Sequence, residues 1–69
     1  MPFKRWIKKY ENDNSLLGDL ASDIQNDDRF PERSQAYHVI YNYLVGMNAC
    51  ETTLITFQKV WNRYEREAK

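Results

Sequence analysis

Residues 57–64 read FQKVWNRY, and this stretch decides between two kinds of structure. Aromatic side chains interleaved with cations grip single-stranded nucleic acid in some proteins, but the same letters also describe the two sides of a packed helix. At about 100° per residue, the three rings fall within one narrow sector and the neighbouring cations project to the opposite side. The rings are those of Phe57, Trp61 and Tyr64, and the cations are Lys59, Arg63 and Arg66. Because a stacking platform needs rings and cations on one exposed face, the spacing favours a helix with a buried aromatic stripe and a solvated basic side.

Outward from this stretch, hydrophobic spacing predicts four helices, roughly at residues 2–11, 15–27, 34–46 and 49–67. In the first, apolar residues recur at i, i+3, i+4 and i+7. Each of the other three predicted helices follows a short polar side chain that can accept from unpaired first-turn amides. Ser34 is expected to cap the third helix, and Asn48 is expected to cap the fourth. Gly46 is expected to end the third helix. The pattern therefore predicts an all-α bundle of four helices.

The predicted third helix is apolar around most of its circumference. Such a helix is usually buried on several sides, so we expect it to pack centrally among the other three. The alternative is that Val39 and Tyr43, four residues apart, form an exposed contact for a partner. Before this helix, Phe30 and Pro31 stand among charged residues, and the isolated ring is expected to plug a packed corner.

The chain has 69 residues, which is typical of one domain, here residues 1–69. A domain this small buries only about 60% of its unfolded surface, and ten aromatic residues suit that need. Cys50 is the only cysteine, which excludes an internal disulfide and fits a reducing cytoplasm. The sequence contains no apolar run of about 20 residues and no signal peptide pattern. We expect a cytoplasmic protein.

Residues that could carry chemistry are few. His38 is the only histidine, and a zinc site needs several such ligands. Cys50 is expected on the apolar arc of the last helix, where a thiol behaves as a small hydrophobe. The two glycines form no phosphate-binding loop. The sequence therefore predicts a protein that is not an enzyme, with no catalytic residue, metal, cofactor or small-molecule ligand.

A series of residues follows a characteristic order along nearly the whole chain, namely Phe3, Trp6, Ile7, Tyr10, Leu20, Ala21, Asp27, Phe30, Pro31, Ile40, Tyr43, Leu44, Phe57, Trp61 and Tyr64. This order resembles that of the YozE family of small bacterial proteins, found mostly in Gram-positive bacteria. The resemblance implies a compact four- to five-helix bundle like the sterile alpha motif (SAM), and it implies little about activity. Because Tyr43 belongs to the series, its ring is expected to be buried with its hydroxyl bonded at the edge.

Charge is distributed unevenly although the net charge is zero. Residues 1–10 carry four cations and no acid, and residues 59–69 carry four cations and two acids, whereas residues 11–58 carry two cations and eight acids. Since the first and last helices of a SAM-like bundle commonly lie together, we expect one basic binding surface. Its members are Lys4, Arg5, Lys8, Lys9, Lys59, Arg63 and Arg66. An acidic partner face is expected at Asp19, Asp23 and Asp27, spaced four apart.

Two functions follow from this distribution. The first is a protein-interaction module, one form of which is self-association of acidic face to basic face, as SAM-type folds often do. The second is weak nucleic-acid binding through the basic surface, which the zero net charge disfavours because phosphate affinity comes mainly from uncompensated cations. No membrane partner is expected.

Overall fold

The computed structural model describes residues 1–68, which fold into four helices joined by short connections. The helices are α1 (Phe3–Ile7), α2 (Leu16–Gln25), α3 (Tyr37–Gly46) and α4 (Glu51–Ala68), and a 3₁₀ turn (Lys8–Tyr10) continues α1. The Cα radius of gyration of 10.7 Å is close to the roughly 11 Å expected for a folded chain of this length. No helix in this part of the chain has the length and apolar character needed to cross a bilayer.

The aromatic stripe of α4 is the centre of the core, as the spacing of its residues predicts. Phe57, Trp61 and Tyr64 are buried, and their rings surround Phe3 of α1 at centroid distances of 5.1 to 5.5 Å. Most of these ring pairs are tilted or edge-to-face, the arrangements that aromatic quadrupoles favour. The question posed by residues 57–64 is thereby answered, because the three rings are core and not a stacking platform.

The central helix is α4, and the expectation that the third helix is central is wrong. Among the helices of residues 1–68, α4 packs against α1, α2 and α3, whereas the backbone of α3 comes close only to α4. Ile40 and Leu44 are the buried residues of α3, while Val39 is 41% exposed. The apolar character of α3 instead reflects partial burial, since Tyr37, Tyr41 and Tyr43 pack their rings on the edge of the core.

The predicted corner before α3 is present. Phe30 is buried, and its ring stands edge-to-face on Tyr43 with centroids 5.5 Å apart. Backbone turns on both sides of Pro31 fix the chain direction, because the Phe30 amide donates to Asp27 O and the Ser34 amide to Pro31 O. The hydroxyl of Tyr43 is hydrogen-bonded, as expected for a member of the family series, but its ring is half-buried and not buried as predicted.

Two predicted helix caps are wrong. Ser34 does not cap α3, because its Oγ accepts from the Ala36 amide and Ala36 precedes the helix. Asn48 adopts a left-handed backbone with φ of 61° after the end of α3, so it reverses the chain and does not begin α4. Cys50 instead occupies the position directly before α4, because its carbonyl accepts from the Leu54 amide and the helix begins at Glu51.

Gly18 marks a close approach between two backbones. It lies in the first turns of α2, where it is buried, and a Cβ at this position would stand 1.7 Å from the carbonyl oxygen of Asp13. Asp13 belongs to the connection between the 3₁₀ turn and α2, and its amide donates to Tyr10 O at 2.9 Å. Only a residue without a side chain allows this connection to lie against the helix.

Candidate interaction surface

Two clefts between α2 and α4 share lining residues and together form one groove. One half is a cleft of about 410 Å³ whose charged residues are Asp19 and Asp23 of α2. The other half is a cleft of about 320 Å³ whose charged residues all come from α4, namely Lys59, Arg63 and Arg66. Leu16 and Thr56 line both clefts, so the two halves meet at these residues. We call this feature the bipolar groove.

The helical repeat explains how α4 supplies both halves. Thr52, Thr53 and Thr56 line the acidic half, and residues one to three turns further along line the basic half. At 1.5 Å per residue, Thr53 and Arg63 are about 15 Å apart along the axis. The charges of the acidic half come from α2 and those of the basic half come from α4, and we call these halves the acidic pole and the basic pole.

Among residues 1–68, no charged side chain of the bipolar groove lies in a salt bridge. The two salt bridges among residues 1–68 join Lys4 to Glu32 and Lys9 to Glu67, and neither involves a residue that lines the groove. At its midpoint Leu16 is 58% exposed. The groove therefore combines two accessible poles with an exposed apolar side chain between them.

Six of the seven cations of the predicted basic surface line one of two clefts. Besides the α4 cations of the groove, a cleft of about 390 Å³ is lined by Lys4 and Arg5 of α1 and by Lys8 of the 3₁₀ turn. Arg33, which the charge pattern did not single out, lines the same cleft with Glu32. We call this cleft the α1 cleft.

Lys4 is held by contacts within the molecule. Its Nζ donates to the backbone oxygen of Asp27 at 3.0 Å and lies 3.6 Å from the Glu32 carboxylate. The Lys4 side chain is only 12% exposed, so it contributes to packing of α1 on the connector. In the α1 cleft, Arg5, Lys8 and Arg33 are the exposed cations.

Asp27 is likewise committed to internal contacts and does not extend the acidic pole. Its carboxylate accepts from the Tyr43 hydroxyl at 2.5 Å and from the Arg29 amide at 2.9 Å. These bonds, the Tyr43 bond first, hold the pKa of Asp27 below its usual value, and the same Asp27 bond raises the pKa of Tyr43. Asp27 therefore fastens the connector to α3, and the acidic pole consists of Asp19 and Asp23.

Lys9 lines neither of these two clefts, and it lies with Arg63 of the groove over the ring of Tyr10. Lys9 Nζ lies 5.3 Å from the Tyr10 ring centroid and Arg63 Cζ lies 5.6 Å from it, both within cation–π range. Lys9 also donates to Glu67 at 3.0 Å, and this bond is the main reason that the pKa of Glu67 is lowered. Lys9 thus joins the first helical segment to α4 and is partly neutralised by that contact.

Cys50 departs from its expected buried position because it is the residue before the first turn of α4. Its thiol is exposed and lies 3.3 Å from Thr53 Oγ1. That hydrogen bond and the first-turn amides of Thr53 and Thr52 lower the pKa of the thiol. Among residues 1–68, no group of three or more His, Cys, Asp or Glu side chains is arranged to hold a metal ion.

Comparison with known proteins agrees with the helical architecture. The family model described as YozE SAM-like fold matches residues 2–66. The UPF0346 protein YozE of Bacillus subtilis is 30% identical over 67 residues, covering 94% of this chain and 90% of the relative. A UPF0346 protein of Bacillus velezensis is 28% identical over the same shares, and one of Bacillus cytotoxicus is 39% identical over 74% of this chain and 70% of its own. No solved structure matches the chain.

An all-α bundle whose helices pack on a long C-terminal helix is the class of protein that this fold defines. The chain belongs to the YozE SAM-like family, as the order of its aromatic motifs predicts.

Proposed function

We propose that this chain is a protein-interaction module without catalytic activity, and that it binds a protein partner through the bipolar groove. The observation that carries this proposal is the juxtaposition, in one groove, of Asp19 and Asp23 with Lys59 and Arg63, none of them in a salt bridge within residues 1–68. Exposed complementary charges set the orientation and the association rate of protein partners. Such a groove suits a surface that carries charges of both signs.

The test is salt-dependent association measured with variants of each pole. A second copy of the chain is the partner that can be tested directly, since it carries both signs of charge. We expect sedimentation velocity at low salt to show association that rises toward millimolar concentration and weakens as salt screens the poles. Asp19→Lys with Asp23→Lys should abolish association, and Lys59→Glu with Arg63→Glu should do the same. An equimolar mixture of the two double variants should associate again. The reversed acidic pole of one variant is now positive, and it faces the reversed basic pole of the other variant, which is now negative.

The matched control is Arg5→Glu with Lys8→Glu, which reverses two exposed cations of the α1 cleft outside the groove. Association of this variant should equal that of the unchanged chain. If the α1-cleft variant dissociates as fully as the groove variants, net charge and not the groove controls association, and the proposed surface is wrong.

Weak nucleic-acid binding is the second candidate, and one observation favours it. Arg5, Lys8 and Arg33 place three exposed cations around one cleft, beside only one carboxylate. A local basic patch can bind phosphates even when net charge is zero. Fluorescence anisotropy with a labelled single-stranded oligonucleotide at low salt tests this function. Lys8→Glu should weaken binding and reduce its salt dependence by roughly one unit of log–log slope for each phosphate that the variant no longer neutralises. Asp19→Lys with Asp23→Lys should strengthen it, and no change in anisotropy with the unchanged chain would exclude this function.

A further inference from the structure

The bipolar groove has a symmetry property that two separate charged faces would lack. Its acidic and basic poles lie on one surface, and Leu16 and Thr56 line the point where they meet. Rotation by 180° about an axis through that point exchanges the poles. A groove of this kind is therefore complementary to itself, which is the requirement for an isologous interface.

We propose that two copies of this chain form a two-fold symmetric dimer in which the bipolar grooves pack against each other in opposite directions. This inference rests on the proposed function and specifies its partner and its geometry. Asp19 and Asp23 of each copy face the cations of the partner copy, so both charge contacts form twice. Leu16 lies on the axis and meets the Leu16 of the other copy.

Charge complementarity favours a second copy as the occupant. Neither pole forms a salt bridge within residues 1–68, and a two-fold pairing brings both poles against charges of opposite sign with one contact surface. A weak interface of about 600 Å² on each partner would cover close to an eighth of the 4668 Å² surface of the chain. The groove supplies an apolar centre at Leu16 with a charged periphery, the usual distribution of an interface core and rim.

Closure distinguishes this dimer from head-to-tail association of an acidic face with a basic face. Head-to-tail contacts leave one free pole at each end and extend into a filament. The isologous pairing uses both poles of both copies and stops at two chains. Self-association should therefore reach a limiting mass of twice the 8.3 kDa of one chain.

The experiment is sedimentation equilibrium up to millimolar concentration at low salt, combined with a symmetric cross-link. Leu16→Cys is made in a chain that also carries Cys50→Ser, so that residue 16 holds the only thiol. Both changes preserve the fold, because Leu16 is exposed and Ser is among the best residues at the start of a helix. A disulfide requires Cβ atoms about 3.5–4.5 Å apart, and only a residue at the axis meets its own copy that closely.

Mild oxidation should convert the Leu16→Cys chain to a disulfide-linked dimer in low salt and much less in high salt. Val39→Cys in the same Cys50→Ser chain is the matched control, since Val39 is also exposed and apolar but lines neither half of the groove. Equal cross-linking at the two positions overturns the two-fold axis. A mass that continues to rise beyond two chains overturns the dimer while leaving the interaction surface in place. A chain that stays monomeric at every concentration overturns self-association altogether.

Discussion

Replacement of Gly18 by Ala tests the close approach of the Asp13 backbone to α2. Within a helix, Ala is favoured over Gly by about 1 kcal/mol, so a helix without neighbours would gain stability. Here the new Cβ would lie 1.7 Å from the Asp13 carbonyl oxygen, about half of an ordinary contact distance. Since a backbone oxygen cannot rotate away, the connection or the helix must move, and overpacking of this kind costs about 1–3 kcal/mol or more.

We take the upper end of that range because the clash involves backbone on both sides. The net loss for Gly18→Ala is then about 2 kcal/mol after the gain in helix propensity. For a domain of this size, each kcal/mol shifts the melting temperature by roughly 4–8 °C, so we expect a decrease of about 8–16 °C. Thermal unfolding followed by circular dichroism, with urea titrations for the free energy, measures this loss.

Gly46 provides the matched control. It ends α3, its backbone φ is not positive, and a Cβ there would meet no atom within 4 Å. Gly46→Ala should therefore raise the stability by about 0.5 kcal/mol, mainly by restricting the unfolded chain. If Gly18→Ala melts at or above the temperature of the unchanged chain, the close approach to Asp13 is wrong, whatever Gly46→Ala does.

Three further predictions concern the core and the connector. Trp61→Ala should lower the free energy of unfolding by about 3–5 kcal/mol because the ring is buried. Asn62→Ala, on the exposed side of the same helix, should change it by less than about 0.5 kcal/mol. A Trp61→Ala chain that melts within a degree or two of the original would contradict the core assignment. Asp27 has a lowered pKa in the folded chain, so its contribution to stability is present above its usual pKa of about 3.8 and is lost as pH falls through the lower folded value. Urea titrations at several pH values in this range should show that Tyr43→Phe loses less free energy of unfolding than the unchanged chain as pH falls, because the variant lacks the hydrogen bond that mainly lowers the Asp27 pKa. Identical slopes of this free energy against pH would refute that cause. Phe30 should show ring proton shifts displaced by the Tyr43 ring and slow amide exchange nearby, and random-coil shifts would exclude the packed corner.

Much of the fold could be predicted because it depends on periodic apolar residues. Phe57, Trp61 and Tyr64 recur at helical spacing, and burial of all three follows from that pattern alone. Helix starts were less predictable. Asn48 and Cys50 both lie before α4, and which of them occupies the capping position depends on how α3 ends. The spacing of apolar residues within one helix carries no information about the end of the preceding helix.

The candidate surface could be predicted only in part. Charges and their spacing indicated Asp19, Asp23 and the cations of α4, but not that they share a groove, because that depends on how α2 packs against α4. Asp27 has the same spacing as the two groove carboxylates, yet its bond to Tyr43 removes it from the acidic pole. A signal for that difference exists in the sequence, since Asp27 belongs to the motif shared with the family and stands three residues before the buried Phe30.

The contact of Phe3 with the rings of α4 has a consequence for synthesis of the chain. Its three ring partners lie between residues 57 and 64, and α1 itself is only five residues long, too short to be stable alone. At translation rates of about 5–20 residues per second, the ribosome needs roughly 3–11 s to reach Phe57 after Phe3. Throughout that interval Phe3, Trp6 and Ile7 lack their aromatic partners on α4, so the nascent chain completes its core only after the last helix has emerged.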